Sequence, residues 1–286
     1  MLSNKVSEIM TTEVITAAAS STIFDVMEMM VAKNVGRLVI ADNQAPVGIF
    51  TEKDVLKRVM NQKFDPKKTS IKRVMTSPIR AVRQETHIVE ALGKMYKGKF
   101  RHLLVRGEKG VIVGMVSMRR ILKLAVELGQ GLTETQAIGS IMSGEPTTVD
   151  PSQSIYETIE TMIEENTGCA VVVSGGEPKG IFSERDVLKR VAVKNVDTRK
   201  TPIQELMTTD LVTAAHSALI GEVLAEMYKR DFRNMPILGE RGQLVGIVSM
   251  GDVLKYAKAL DVDESVRMAW KEIEEFWDSE QHYTPG

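Results

Sequence analysis

The stretch GIFTEKDVLKRV (48–59) recurs as GIFSERDVLKRV (180–191), 132 residues later. A second pair, GMVSMRRILK (114–123) and GIVSMGDVLK (246–255), is displaced by the same 132 residues. Working outward, a short motif stands well before each of these stretches: VSEIMTT from Val6, IKRVMTS from Ile71, IGSIMSG from Ile138 and IQELMTT from Ile203. Its methionines, Met10, Met75, Met142 and Met207, are 65, 67 and 65 residues apart. A fixed period of this length marks a repeated supersecondary unit. Odd copies resemble odd copies and even resemble even, so the chain reads as one pair, duplicated.

Each unit has the same internal pattern. A β-prone run such as Val14–Thr16 precedes an amphipathic helix, in which Ile23, Val26, Met27 and Met30 fall at helical spacing. The aligned helix starts, Thr22–Asp25, His87–Glu90, Ser154–Glu157 and Leu219–Glu222, each place an acid in the first turn, where the helix N-terminus favours negative charge. His87 is read as a cap. Two β-rich runs joined by a turn follow, Arg37–Ala41 and Val47–Phe50 in copy one, and a second helix begins after Thr51. The fold class is α/β, with β–α–β–β–α units over 1–62, 68–128, 135–195 and 200–260. One such unit buries little surface alone, so the pairing of copies is expected to complete the core.

Composition narrows the function. The chain has 286 residues, 43% apolar and 26% charged, with net charge −1, which leaves no global basic field for nucleic acid. Cys169 is the only cysteine, so no intrachain disulfide forms. No stretch reaches membrane-helix length and the start lacks a signal-like apolar run, which suits a cytoplasmic protein. His87, His102, His216 and His282 have no metal-ligand spacing, and no catalytic constellation is found, so neither metal nor enzyme is expected. The segment 261–286 holds eight acids and two bases, with Val266, Trp270, Ile273 and Trp277 at helical spacing. It reads either as a helix docked on its own repeats or as a contact for a second copy or a partner.

The column Gly-x-x-(Ser/Thr)-x-x-Asp carries the chemistry. It comprises Gly48, Thr51 and Asp54, then Gly180, Ser183 and Asp186, then Gly246, Ser249 and Asp252. Copy two keeps Gly114 and Ser117 but has Arg120 in place of the acid. A hydroxyl at a helix start with a carboxylate three residues on suits a ribose diol, and the helix N-terminus favours phosphate. The same spacing is an ordinary capping box. Two features favour a ligand: a cap does not need the glycine, and copy two keeps its helix pattern without the acid. Arg101, His102, Arg119 and Arg120 form a candidate cationic cluster in copy two, with arginine suited to bidentate phosphate binding. The alternative is a solvated charged face.

These four repeats and their motif resemble cystathionine-β-synthase-type (CBS) domains, and most of all the four-copy γ subunit of AMP-activated protein kinase. The resemblance implies two Bateman modules, each a pair of copies joined through their sheets, packed as a disk. It implies adenine nucleotides, AMP, ADP or ATP, as ligands in up to three of four clefts, and an unknown protein partner or a homodimer that reads the module geometry. S-adenosylmethionine, or a scaffold role with vestigial clefts, is the alternative. By resemblance, ribose falls to Thr51, Asp54, Ser183, Asp186, Ser249 and Asp252. Phosphate falls to Arg101, His102, Arg119 and Arg233, with Arg120 reaching toward the neighbouring cleft. The backbone wall of the adenine cleft falls to Thr16, Gly36, Arg37, Gly48, Gly168, Gly180 and Gly246. Cys169, Asn234 and Gly251 depart from the basic residues expected at their positions.

Overall fold

The computed structural model describes residues 5–43, 45–98, 100–108, 110–121 and 136–252. The acidic segment 261–286, with both tryptophans, and most of the second helices expected in copies two and four lie outside the described residues. Each copy contributes a three-stranded sheet. The strands are β1–β3 (Thr16–Ala18, Arg37–Asp42, Ala45–Thr51), β4–β6 (Ala81–Arg83, His102–Arg106, Ile112–Ser117), β7–β9 (Thr148–Val149, Cys169–Ser174, Glu177–Ser183) and β10–β12 (Ala214–Ala215, Asn234–Leu238, Leu244–Ser249). The first strand of each sheet runs parallel to the second, and the second pairs antiparallel with the third. The parallel step requires a crossover, which the first helix supplies.

Those first helices are Ile23–Ala32, Ile88–Lys97, Ile155–Glu164 and Ile220–Lys229. Thr22 with Asp25, and Ser154 with Glu157, close reciprocal capping boxes. His87, expected to cap its helix, makes no side-chain cap. It acts through its backbone, which pairs with Lys5 in an isolated bridge. The second helices of the odd copies begin as single α-turns, Glu52–Asp54 and Glu184–Asp186, and widen into π-type turns, Val55–Val59 and Val187–Ala192.

What joins a pair is an exchange of segments. The stretch ahead of copy one crosses to copy two, where Thr11 and Met115 exchange backbone hydrogen bonds of 2.8 and 2.9 Å. The stretch ahead of copy two crosses back, and Thr76 and Ile49 do the same at 2.8 and 3.0 Å. The second module repeats this with Ser143 and Ile247, and with Thr208 and Ile181. Each exchanged strand end covers a sheet edge that would otherwise present unpaired backbone groups. The methionine of each exchanged segment lies over the motif glycine of its partner. A Cβ on Gly48, Gly180 or Gly246 would stand 2.5 Å from the Sδ of Met75, Met207 or Met142, and one on Gly114 would stand 2.7 Å from the Sδ of Met10.

An arginine then clamps three of the four exchanges, those received by copies one, two and three. Arg58 donates to the carbonyls of Val74 and Met75 at 3.1 Å, and Arg190 donates to that of Leu206 at 2.7 Å. Asp54 and Asp186 hold these arginines from one turn earlier, at 3.5 and 3.3 Å. In copy two the arginine stands at the acid's own position: Arg120 Nε donates to the Ile9 carbonyl at 3.1 Å. Ile9, Val74 and Leu206 are the same position in their segments, the residue before the methionine.

The cores show how the pairs assemble. Val39, Leu104 and Met115 pack between the sheets of copies one and two. Larger cores cross between modules. Copies one and three share one, with Val55, Leu56 and Val59 against Val187, Leu188 and Val191, and copies two and four share the other. The sequence led to pairs as the core-forming unit. The structure shows that the helices complete their burial on the other pair, so the four copies form a ring in the order one, two, four, three.

A substitution series tests the seat of the methionine. Gly48→Ala is expected to lower stability by about 1–3 kcal/mol, the usual range for overpacking. Met75→Ala in the same chain should relieve much of that cost, because the three atoms nearest the Gly48 position all belong to Met75. At Gly180 the Thr208 carbonyl is also close, at 2.9 Å, so Met207→Ala should relieve less. Unfolding midpoints of the single and double variants measure the coupling.

Candidate functional site

The ring encloses a cavity of about 1230 Å³ to which all four copies contribute. Its cations are Lys33, Arg37 and Lys53 from copy one, Arg101 and Arg119 from copy two, Arg185, Lys189 and Arg190 from copy three, and Arg233 from copy four. Against these nine stand four lining carboxylates, Glu13, Glu184, Asp186 and Asp231. Repetition explains the convergence. The start of each second strand and the start of each second helix are neighbours across an antiparallel pair, as in Arg37 opposite Thr51 and His102 opposite Ser117. The ring then turns these positions of all four copies inward.

Odd and even copies bring complementary groups. At the start of the second strand the odd copies have Gly36 and Gly168, and the even copies have Arg101 and Arg233. After the helix hydroxyl the odd copies have Glu52 and Glu184, only 2% and 5% exposed, where the even copies have Met118 and Met250. Each even arginine reaches the odd glutamate diagonally across the ring. Arg101 Nη2 lies 2.9 Å from Glu184 Oε2, and Arg233 bonds Glu52. Arg185 adds a second contact to Glu52 at 3.4 Å and reaches Asp231 at 2.9 Å, which Arg119 also bonds.

Four of the nine, Lys33, Arg37, Lys53 and Lys189, make no ion pair among the described residues, and Arg37 and Lys53 are the two whose pKa is pulled down. Arg37 makes no ion pair among the described residues, and its Nε points at the Met115 sulfur, 2.7 Å away. Burial and the neighbouring Arg233 pull its pKa down to about 10. Lys53 likewise makes no ion pair among the described residues. Burial, Lys57 and Arg101 lower its pKa. For Arg101 burial disfavours the charge, but the Glu184 carboxylate outweighs that and raises its pKa. His102 is held well below the ordinary histidine value by burial and by Arg37, Arg101 and Arg233. It stands in the cluster as a neutral donor, not as the cation the sequence suggested.

Of the residues singled out from sequence, the ring brings Gly36, Arg37, Arg101, His102, Arg119, Gly168, Ser183, Asp186, Arg233 and Ser249 to the cavity wall. Thr16, exposed on β1, does not line it, and neither do Thr51 and Asp54. Asp54 is 7% exposed, and its carboxylate accepts from Thr51 Oγ1 at 2.7 Å and from Thr76 Oγ1 at 3.2 Å. Burial lifts its pKa above the ordinary range despite those bonds. Ser183 with Asp186, and Ser249 with Asp252, make the same hydroxyl–carboxylate bond at 2.6 Å.

Two readings change in the structure, those of the motif glycines and of Arg120, while Gly36 keeps its place on the wall and gains a reason. Gly48, Gly180 and Gly246 seat the partner copy's methionine and do not line the cavity, so the glycine has a packing reason. Arg120 is committed to the Ile9 carbonyl and does not reach the cavity. Gly36 makes room for an ion pair: a Cβ there would lie 2.8 Å from Arg233 Nη2 and 2.9 Å from Glu52 Oε2. Sequence reasoning also missed Glu52, Lys53, Glu184, Arg185 and Asp231. A signal existed for four of them. Glu52-Lys53 and Glu184-Arg185 align with Met118-Arg119 and Met250-Gly251, an acid present in odd copies alone.

Comparison with known proteins agrees with this architecture. The chain is 26% identical to the Arabidopsis thaliana CBS domain-containing protein CBSCBSPB1 over 95% of its own length and 58% of that protein. It is 22% identical to the Meiotically up-regulated gene 70 protein of Schizosaccharomyces pombe over 82% of its length and 41% of that protein. The chain thus spans about half the length of these curated relatives. Among solved structures it resembles protein MJ1225 of Methanocaldococcus jannaschii, described as a candidate archaeal homologue of g-AMPK, with TM-score 0.76 and 18% identity, covering 88% of this chain and 99% of that one. An uncharacterized conserved protein of Pyrococcus horikoshii has TM-score 0.60 and 19% identity over the same shares. At such identities these likenesses establish the fold. The family described as CBS domain matches residues 6–61, 71–127, 138–193 and 203–259, and the chain therefore belongs to the CBS domain family, with four such domains in tandem.

Proposed function

We propose that this chain is a regulatory, non-catalytic protein that senses adenine nucleotides in the clefts opening on its central cavity. The observation that supports the reading is the excess of positive charge there, nine lining cations against four lining carboxylates, with Arg37 and Lys53 in no ion pair among the described residues. A partly buried cation lacking a counter-ion is costly, and an anionic ligand that supplies one is favoured accordingly. Phosphate would be held by Arg37, Lys53, Arg101, Arg119 and Arg233. Ribose would be held by the hydroxyl–carboxylate pairs, Ser183 with Asp186 and Ser249 with Asp252, and in copy one Thr51 with Asp54. A carboxylate oxygen that already accepts one bond retains lone pairs for a diol. The cation excess supports a phosphate-bearing ligand over S-adenosylmethionine, which brings no phosphate. Among the described residues no helix is long and apolar enough to cross a membrane. In this reading the protein is cytoplasmic, and a protein partner or a second copy reads the arrangement of the two modules.

Calorimetry with AMP, ATP and adenosine tests the reading. Arg37→Met and Arg101→Ala are each expected to weaken ATP binding about tenfold or more, since a charge-assisted hydrogen bond contributes ~1.5–3 kcal/mol. Adenosine binding should stay within about twofold. Equal losses for ATP and adenosine would remove the phosphate role, and absence of binding by any of the three would leave a scaffold held by its own ion pairs.

Arg120→Ala separates the clamp from the site. Losing its bond to the Ile9 carbonyl should lower the melting temperature, by roughly 1 kcal/mol of stability for one charge-assisted bond at a part-exposed position. Nucleotide affinity should be unchanged, and a tenfold loss would return Arg120 to the phosphate site.

A further inference from the structure

Two buried carboxylates, Glu184 on the cavity wall and Glu52 outside its lining, hold arginines of the wall that a phosphate would need. Glu52 is 2% exposed and is bonded by Arg233 and Arg185. Glu184 is 5% exposed and is bonded by Arg101. Both pairs join copies of different modules, and both use the same two positions of the repeat. The first pair lies against Gly36, where a Cβ would stand 2.8 Å from Arg233 Nη2 and would shift the pair's side-chain ends. Buried carboxylates of this kind gain little for stability over apolar residues, which the even copies have at the same position as Met118 and Met250.

Resting on the nucleotide reading, we infer that Glu52 and Glu184 are internal counter-ions that compete with ligand phosphate for Arg233 and Arg101. They set the affinity threshold of the cavity and couple its occupancy to the contact between modules. An arriving phosphate takes the arginine's donors; Glu184 then loses its one partner from the opposite module, while Glu52 loses Arg233 and keeps Arg185. Each diagonal therefore exists in two exclusive states, one protein-paired and one ligand-paired. A ligand that prefers the second state shifts the arrangement by its differential affinity. The two diagonals are unequal, since Glu52 holds two arginines and Glu184 holds one. The copy-two to copy-three diagonal yields first.

The test uses the full chain and the carboxamide variants Glu52→Gln and Glu184→Gln, which keep shape and remove charge. Calorimetry at one low salt concentration compares pyrophosphate, ATP and adenosine. Glu184→Gln is expected to bind pyrophosphate and ATP at least tenfold more tightly than the parent chain, with adenosine unchanged. Glu52→Gln should show the same gain, and if it does not fold without an anion, its recovery in added pyrophosphate, read by melting, is the equivalent result. Equal or weaker anion binding by Glu184→Gln, with ATP still bound by the parent chain, overturns the counter-ion role and leaves the nucleotide reading standing. A gain for pyrophosphate in a chain that binds neither ATP nor adenosine overturns the nucleotide reading alone.

Discussion

The structure depends on the contact between a glycine and a methionine of different copies. At Gly48, Gly114, Gly180 and Gly246 the absence of a side chain lets the exchanged segment of the neighbouring copy lie flat on the third strand, with its methionine sulfur where a Cβ would be. Methionine suits the seat because its unbranched, polarizable chain fills irregular gaps. The backbone bonds of that segment then complete the sheet edge. Because each copy gives its leading segment and receives another, a single copy is left with an open edge. That reciprocity is the physical reason the repeats occur in pairs.

The clamp follows from the exchange. Once the segment lies on the strand, the carbonyl before its methionine faces the second helix of the receiving copy and needs a donor. Arg58 and Arg190 supply it, steadied by Asp54 and Asp186, while Arg120 supplies it directly. The acid thus has structural work in the odd copies, and copy two dispenses with it because its arginine starts one turn earlier. Copy two was read from sequence as evidence that the acid is not needed for folding. The same fact has a different meaning here: a substitute already occupies the position.

At the centre of the ring the logic is electrostatic. Odd copies present a glycine and a glutamate, even copies an arginine and a methionine, and the two sets meet along both diagonals. Burying like charges from four copies around one cavity is unfavourable unless each finds a counter-charge. The glutamates supply part of that compensation, and Arg37 and Lys53 remain without theirs among the described residues. The alternation also distinguishes this arrangement from one with identical copies facing each other, where arginine would meet arginine.

The sequence by itself determined the period and the likeness of odd to odd and even to even, because a repeat is visible in its own alignment, and the β–α–β–β–α order, because that depends on residues within about ten positions of one another. It also placed Arg101, Arg119, Ser183, Asp186 and Arg233 in a shared group, because a repeat carries its spatial equivalences in its alignment. The tertiary structure alone decided that Gly48 seats Met75, that Arg120 turns to Ile9, that His102 stands neutral among arginines and that Glu52 pairs with Arg233. Those outcomes depend on which surfaces meet between residues from 27 positions apart, as Gly48 and Met75, to 181 apart, as Glu52 and Arg233. A glycine that frees a backbone for a ligand and one that seats a distant methionine read identically along the chain, and only the packed neighbour tells them apart.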